Sequence, residues 1–81
     1  MASPDALDIE DISPRAWRLL RVAAGYGQRD VEKEVDSVQQ AHVSMLESGA
    51  RALSPARRQE LLALYVADLA DEQVRALVDH F

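Results

Sequence analysis

Between Pro14 and Phe81 apolar residues return every three or four positions, and no stretch carries the two-residue alternation of a strand. Trp17, Leu20, Ala23 and Ala24 share one side of a helix predicted from about Pro14 to Ala24. Val31 and Val35, four apart, give the inward side of a second helix over about Gln28 to Val35. Val43 and Leu46 do the same for a third, over about Val38 to Glu47. Leu61, Leu62, Tyr65, Val66 and Leu69 line a fourth, from about Pro55 to Leu69. Val74, Leu77, Val78 and Phe81 form the stripe of a fifth, running from an Asp71 cap over about 71–81.

Helix ends are marked as clearly as helix faces. Ser13-Pro14 and Ser54-Pro55 place a capping hydroxyl before a proline, and proline suits a first helical position because that position's N–H has no partner anyway. Gly25 and Gly49 fit helix stops, where a residue without Cβ takes the left-handed conformation. Gly27 opens the second helix. Asp36 or Ser37 is the expected cap of the third, with Gln40 three residues after Ser37 at capping-box spacing. Residues 1–12 show no period. They read as an acidic, flexible tail, with Leu7, Ile9 or Ile12 able to dock on the core. The fold class expected is therefore all-α: one compact five-helix domain over 13–81.

A chain of 81 residues forms one domain and buries only roughly 60% of its unfolded surface, so modest stability is expected. There is no cysteine, which excludes disulfides and thiolate metal sites. No run approaches the ~18 apolar residues of a membrane span, and the acidic start lacks the apolar stretch of a signal peptide. A cytoplasmic protein without cofactor or metal is expected. The two histidines, His42 and His80, have no ligand spacing. His42 reads either as a half-buried, satisfied side chain or as a phosphate or base contact. No phosphate loop or nucleophile–base pair is present, so an enzyme is not expected.

Net charge is −5, which taken alone disfavours nucleic acid. Its distribution alters that reading. The four acids of residues 1–12 stand unopposed, and residues 59–81 carry five acids against Arg75. Residues 13–58 instead carry eight bases against five acids. A basic centre between acidic ends suits a contact with DNA on one face, or simply a solvated surface.

The second and third helices are short and joined by a tight turn, as in a helix-turn-helix. In that motif the second helix lies in the major groove. Here its outward side carries Gln40, Ala41, Ser44 and Met45 and no positive charge. Gln pairs with adenine through two hydrogen bonds, and Ala or Met touches a thymine methyl, while other residues anchor phosphates. The competing description is an ordinary helix with a polar outside.

The stretch LLRVAAGYGQRDVEKEVDSVQQAHVSMLESGARALS, residues 19–54, resembles the Cro/cI-like (XRE) helix-turn-helix family. The resemblance rests on Arg21, Gly25 and Gln28, followed by Val43, Ser44, Leu46, Glu47 and Gly49. It implies a lambda-repressor-like five-helix domain and a transcription regulator, such as a repressor, on double-stranded DNA in the nucleoid. There are departures. Glu32 stands where the family has a small residue, which is expected to loosen the packing of the second helix on the third. Asp36 or Ser37 replaces the turn glycine, Gly27 replaces a serine cap, and the interval from Gln28 to Glu47 is one residue longer.

By this resemblance Gln28 contacts a phosphate and buttresses the recognition helix, with Arg29 as a second phosphate contact. Gln39, Gln40, Ala41 and Met45 approach bases. Ser44 and Ser48 reach bases or phosphates, and Arg51 reaches a phosphate from the following loop. Arg57 and Arg58 extend the basic rim or are plain surface charge. Arg21 and Glu47 form a structural ion pair between the first and third helices. Spare apolar surface at Leu64, Val74, Leu77, Val78 and Phe81 would serve either intramolecular packing or a homodimer. The rival to DNA binding is a protein-interaction module, an antitoxin or accessory subunit, on the same fold.

Overall fold

The computed structural model describes residues 8–81, and Leu7 with the start of the acidic tail lies outside them. A 3-10 turn at Ile9–Asp11 precedes five helices: α1 (Pro14–Ala23), α2 (Gln28–Glu34), α3 (Gln40–Ser48), α4 (Pro55–Val66) and α5 (Asp71–His80). The described residues form an all-α domain without strands.

Both Ser-Pro pairs start helices. The Ser13 hydroxyl accepts the Ala16 N–H at 3.0 Å, and that of Ser54 accepts the Arg57 N–H at 3.3 Å. Ser13 also donates to the Phe81 carbonyl, tying the end of α5 to the start of α1. Gly25 and Gly49 both have left-handed backbones, with φ of 90° and 77°.

The remaining boundaries correct the sequence reading. α3 begins at Gln40, not near Val38, and neither Asp36 nor Ser37 caps it. Val38 lies in the preceding turn and is buried, so the two-residue delay trades helical turn for core packing. Ser37 instead donates to Glu60 of α4 at 3.1 Å. Val35 ends α2 in an extended conformation. α4 stops at Val66, three residues early, and α5 is preceded by Ala70 rather than capped by Asp71. There the Gln73 side chain accepts the Ala70 N–H at 3.2 Å.

The core gathers Trp17, Leu20, Val31, Val43, Leu61 and Tyr65, all nearly without exposure. The Trp17 and Tyr65 rings meet edge to face at 6.3 Å, an arrangement that favours aromatic pairs beyond their burial. Ala23, expected inward, is exposed, and Ala16 takes its place in the core. Val74 and Val78 are buried within this chain. They are therefore not available to the homodimer surface suggested by their stripe. Leu64 and Leu77 are half-buried against the core, and Phe81 is exposed beneath the Arg15 guanidinium, 5.4 Å from its ring centre.

Residues 8–12 are part of the fold rather than a tail. Asp8 caps the 3-10 turn by accepting the Glu10 N–H, and Ile9 and Ile12 are both buried. Glu10 accepts from Arg58 of α4 at 2.7 Å. Arg58 is thereby withdrawn from the basic rim: it is buried, and its Nε has no partner among the described residues.

Ile12→Ala is expected to cost about 2–5 kcal/mol, as buried aliphatic truncations do. Urea denaturation measures this, and an unmoved midpoint would mean that the segment is not docked.

Candidate nucleic-acid interface on α3

α3 presents two faces. Val43 and Leu46 enter the core, while Gln40, Ser44 and Ser48 form one i, i+4 row and Ala41 and Met45 a second. Gln39, Ala41 and Ser48 are exposed, and Gln40, Ser44 and Met45 are half-buried. Ser48 bonds back to the Met45 carbonyl at 3.2 Å.

What holds this helix is a pair of charges at its far end. Arg21 of α1 grips Glu47 with Nε on Oε2 at 2.7 Å and a terminal nitrogen on Oε1 at 3.0 Å. The side chains retain 11% and 5% exposure, so the pair is largely out of water. The third guanidinium edge donates to the Tyr26 carbonyl at 2.7 Å, fixing the connection between α1 and α2. The hydrogen bond to Glu47 holds the Arg21 pKa above its ordinary value against the opposing effect of burial. Burial pushes the neighbouring Tyr65 hydroxyl pKa well up, and the Glu47 charge adds to that.

The pair also sets the direction of a hydrogen-bond relay. A carboxylate only accepts, so Gln28 turns its Nε2 toward Glu47, 3.3 Å away. Its Oε1 then faces α3 and accepts from Gln40 Nε2 at 2.7 Å. Gln40 is left with its Oε1 and a second amide hydrogen. These are the acceptor and donor that a bidentate contact with adenine uses. The amide orientation thus follows from the network, which is the proper ground for assigning it.

The N-terminus of α3 is satisfied by side chains that sequence reasoning missed. The Gln39 N–H donates to His42 Nδ1 at 3.0 Å, and the Gln40 N–H donates to Glu32 of α2 at 2.8 Å. His42 sits at capping-box spacing from Gln39, a signal hidden by placing the cap at Ser37. Glu32 is exposed and reaches across to the start of α3, so it joins α2 to α3 where looser packing was expected. Only the tertiary fold brings it there. At Gly27 the Asp30 carboxylate accepts the cap N–H at 2.8 Å, and glycine has no side chain to reciprocate.

Arginines precede and follow α3 along the chain. Arg29 is exposed and follows directly on Gln28. Beyond Gly49 the backbone N–H groups of Ala50 and Arg51 close on the Met45 carbonyl at 3.1 and 3.4 Å. This brings Arg51 round to α4, where Arg51, Arg57, His42 and Met45 wall a concavity of about 370 Å³. Arg57 thus lines this concavity, whereas Arg58 lies elsewhere, against Glu10. Among the described residues no three His, Asp or Glu side chains gather as a metal site, and no helix is long and apolar enough to cross a membrane.

A family model described as a domain of unknown function (DUF8599) matches residues 6–58. The chain belongs to that family. The matched segment holds α1 to α3, the whole Arg21–Glu47–Gln28–Gln40 relay and both partners of the Glu10–Arg58 pair. No curated protein and no solved structure matches the chain.

Glu47→Ala is expected to cost about 3–5 kcal/mol, because it strands Arg21 in a largely buried site. Gln40→Ala, which removes one neutral hydrogen bond, should cost about 0.5–1.5 kcal/mol. Thermal melting separates the two, and equal melting temperatures would show that the ion pair carries no special share.

Proposed function

We propose that the protein is a sequence-specific regulator of transcription that reads the major groove of double-stranded DNA with α3, as its resemblance to the Cro/cI-like family implies. The observation that carries this reading is the oriented Gln40 amide. A surface glutamine would ordinarily sample many rotamers and lose that freedom on binding. Gln40 is instead steered by Gln28, so part of the ordering cost is met before DNA arrives. Ala41 and Met45 offer apolar contact beside it, suited to thymine methyls. Arg29 and Arg51 supply the phosphate contacts that the face itself lacks, with Gln28 and the first turn of α2 beside Arg29. Gln39, Ser44 and Ser48 complete the polar contacts within reach of the groove.

A single module with so few cations binds weakly in salt. Two-fold pairing would bring two α3 helices to half-sites about 34 Å apart. With Val74 and Val78 enclosed in the core, such pairing would rest on Leu64, Leu77 and Phe81.

A second reading has its own support. The Glu32 carboxylate sits on the first free N–H of α3, at the end of the helix that a groove-reader turns toward DNA. An anionic group there suits a basic protein partner better than a phosphate backbone, as in an antitoxin or accessory subunit.

Selection from a random duplex library, followed by anisotropy at two salt concentrations, decides between them. The DNA reading expects an enriched motif and affinity that falls with salt. Gln40→Ala should then lose about 1–3 kcal/mol of discrimination at one base pair, and Arg29→Gln should weaken all sequences alike, lowering the salt slope by about one. No enriched motif, or binding indifferent to salt, would support the protein-interaction reading.

A further inference from the structure

We propose that the concavity between the end of α3 and the start of α4 binds a small organic phosphate, its phosphate group on Arg51 and Arg57 and its apolar body on Met45 and Leu53. The proposal does not require DNA recognition, although Arg51 and Met45 also belong to the proposed DNA-contacting face. It begins with charge. The protein carries 14 acids against 9 bases, yet no carboxylate lines this space. Two guanidiniums and one imidazole do. The ion pairs among the described residues engage Arg21 and Arg58, leaving Arg51 and Arg57 with no carboxylate partner there. A concave wall of one sign concentrates potential that the net negative charge would otherwise cancel.

The donors differ in kind. Guanidiniums grip phosphate oxygens in pairs, which a simple ammonium does not. The Nδ1 of His42 already accepts the Gln39 N–H, so the ring proton sits on Nε2 and this nitrogen is a donor. The first turn of α4 adds the positive end of a 12-residue helix beside Arg57. Against these stand apolar surfaces: buried Leu53 and half-buried Met45, whose flexible thioether adapts to a ligand's shape. At about 370 Å³ the space lies in the range of small-molecule sites. A bare phosphate would leave that apolar wall without contact, so an ester with an apolar or aromatic body fits better than the inorganic ion.

The test is a titration of the isotopically labelled full chain at constant ionic strength, followed by amide chemical shifts. The probes are adenosine monophosphate, inorganic phosphate, adenosine and a short DNA duplex. The monophosphate should give saturable shifts at Ala52, Leu53 and Arg57, inorganic phosphate weaker ones, and adenosine none. R51Q and R57Q should each weaken the monophosphate at least tenfold while melting as the parent does. Three results would overturn the proposal: no saturable shift up to about 10 mM, a weaker affinity than the millimolar end of the usual scale; shifts indifferent to both substitutions; or shifts at these amides with duplex alone, which would assign the arginines to backbone phosphates. The parent chain's shift map decides the question even if a variant folds poorly.

Discussion

One buried ion pair connects most of what positions α3 and its outward side chains. Arg21 and Glu47 are 26 residues apart and come from the first and third helices. Neither would be stable in its site without the other, since a lone charge removed from water costs several kcal/mol. The guanidinium has more donors than the carboxylate uses, and the surplus goes to the Tyr26 carbonyl. The carboxylate has more lone pairs than the guanidinium uses, and one goes to Gln28. The leftover hydrogen-bonding capacity of each partner therefore fixes the α1–α2 connection and the first side chain of α2. Through Gln28 it reaches the exposed edge of α3 at Gln40. A stabilising contact and a presented functional group are thus parts of one network.

The electrostatics of the molecule follow a similar division. Acids that would weaken a contact with an anion are partly occupied inside the fold. Glu47 is neutralised by Arg21, and Glu10 lies against Arg58. Asp30 and Glu32 hold the starts of α2 and α3, where a helix favours negative charge. Arg29 and Arg51 remain exposed, and Arg57 is half-buried at the concavity. Net charge is therefore a poor guide to this surface. Glu32 is the exception that matters, because its cap lies at the end of α3 that the proposed groove contact would approach.

The fold was legible because its signals are local. Ser-Pro pairs, two glycines and helical spacing act over a few residues, and five helices follow from them. The family resemblance singled out Arg21, Glu47 and Gln28, whose contacts span the chain and leave no local trace. The errors came where tertiary packing overrode local chemistry. Val38 entered the core instead of starting α3, so the cap moved from Ser37 to Gln39 and His42 took a role that its own spacing had encoded. Arg58 looked like its neighbour Arg57, but one step along a helix turns a side chain by about 100°, enough to carry it from rim to interior. Ile9 and Ile12, named as able to dock, are buried, but their segment reads as a tail because a 3-10 turn of three residues is too short to show a period. For Val74 and Val78 both intramolecular packing and a homodimer stayed open, because a sequence does not reveal which helix lies opposite; the fold takes the first.

The central claim is that the ion pair reaches Gln40 through Gln28 and holds its amide in one orientation. Side-chain amide NMR of Gln40 tests it most directly, comparing the parent with Gln28→Ala. The account predicts a Gln40 NH₂ pair shifted away from free glutamine and slow to exchange in the parent, collapsing to free-glutamine values in the variant while the Arg21 Nε–H signal stays put. A Gln40 NH₂ pair already at free-glutamine values in the parent would contradict it.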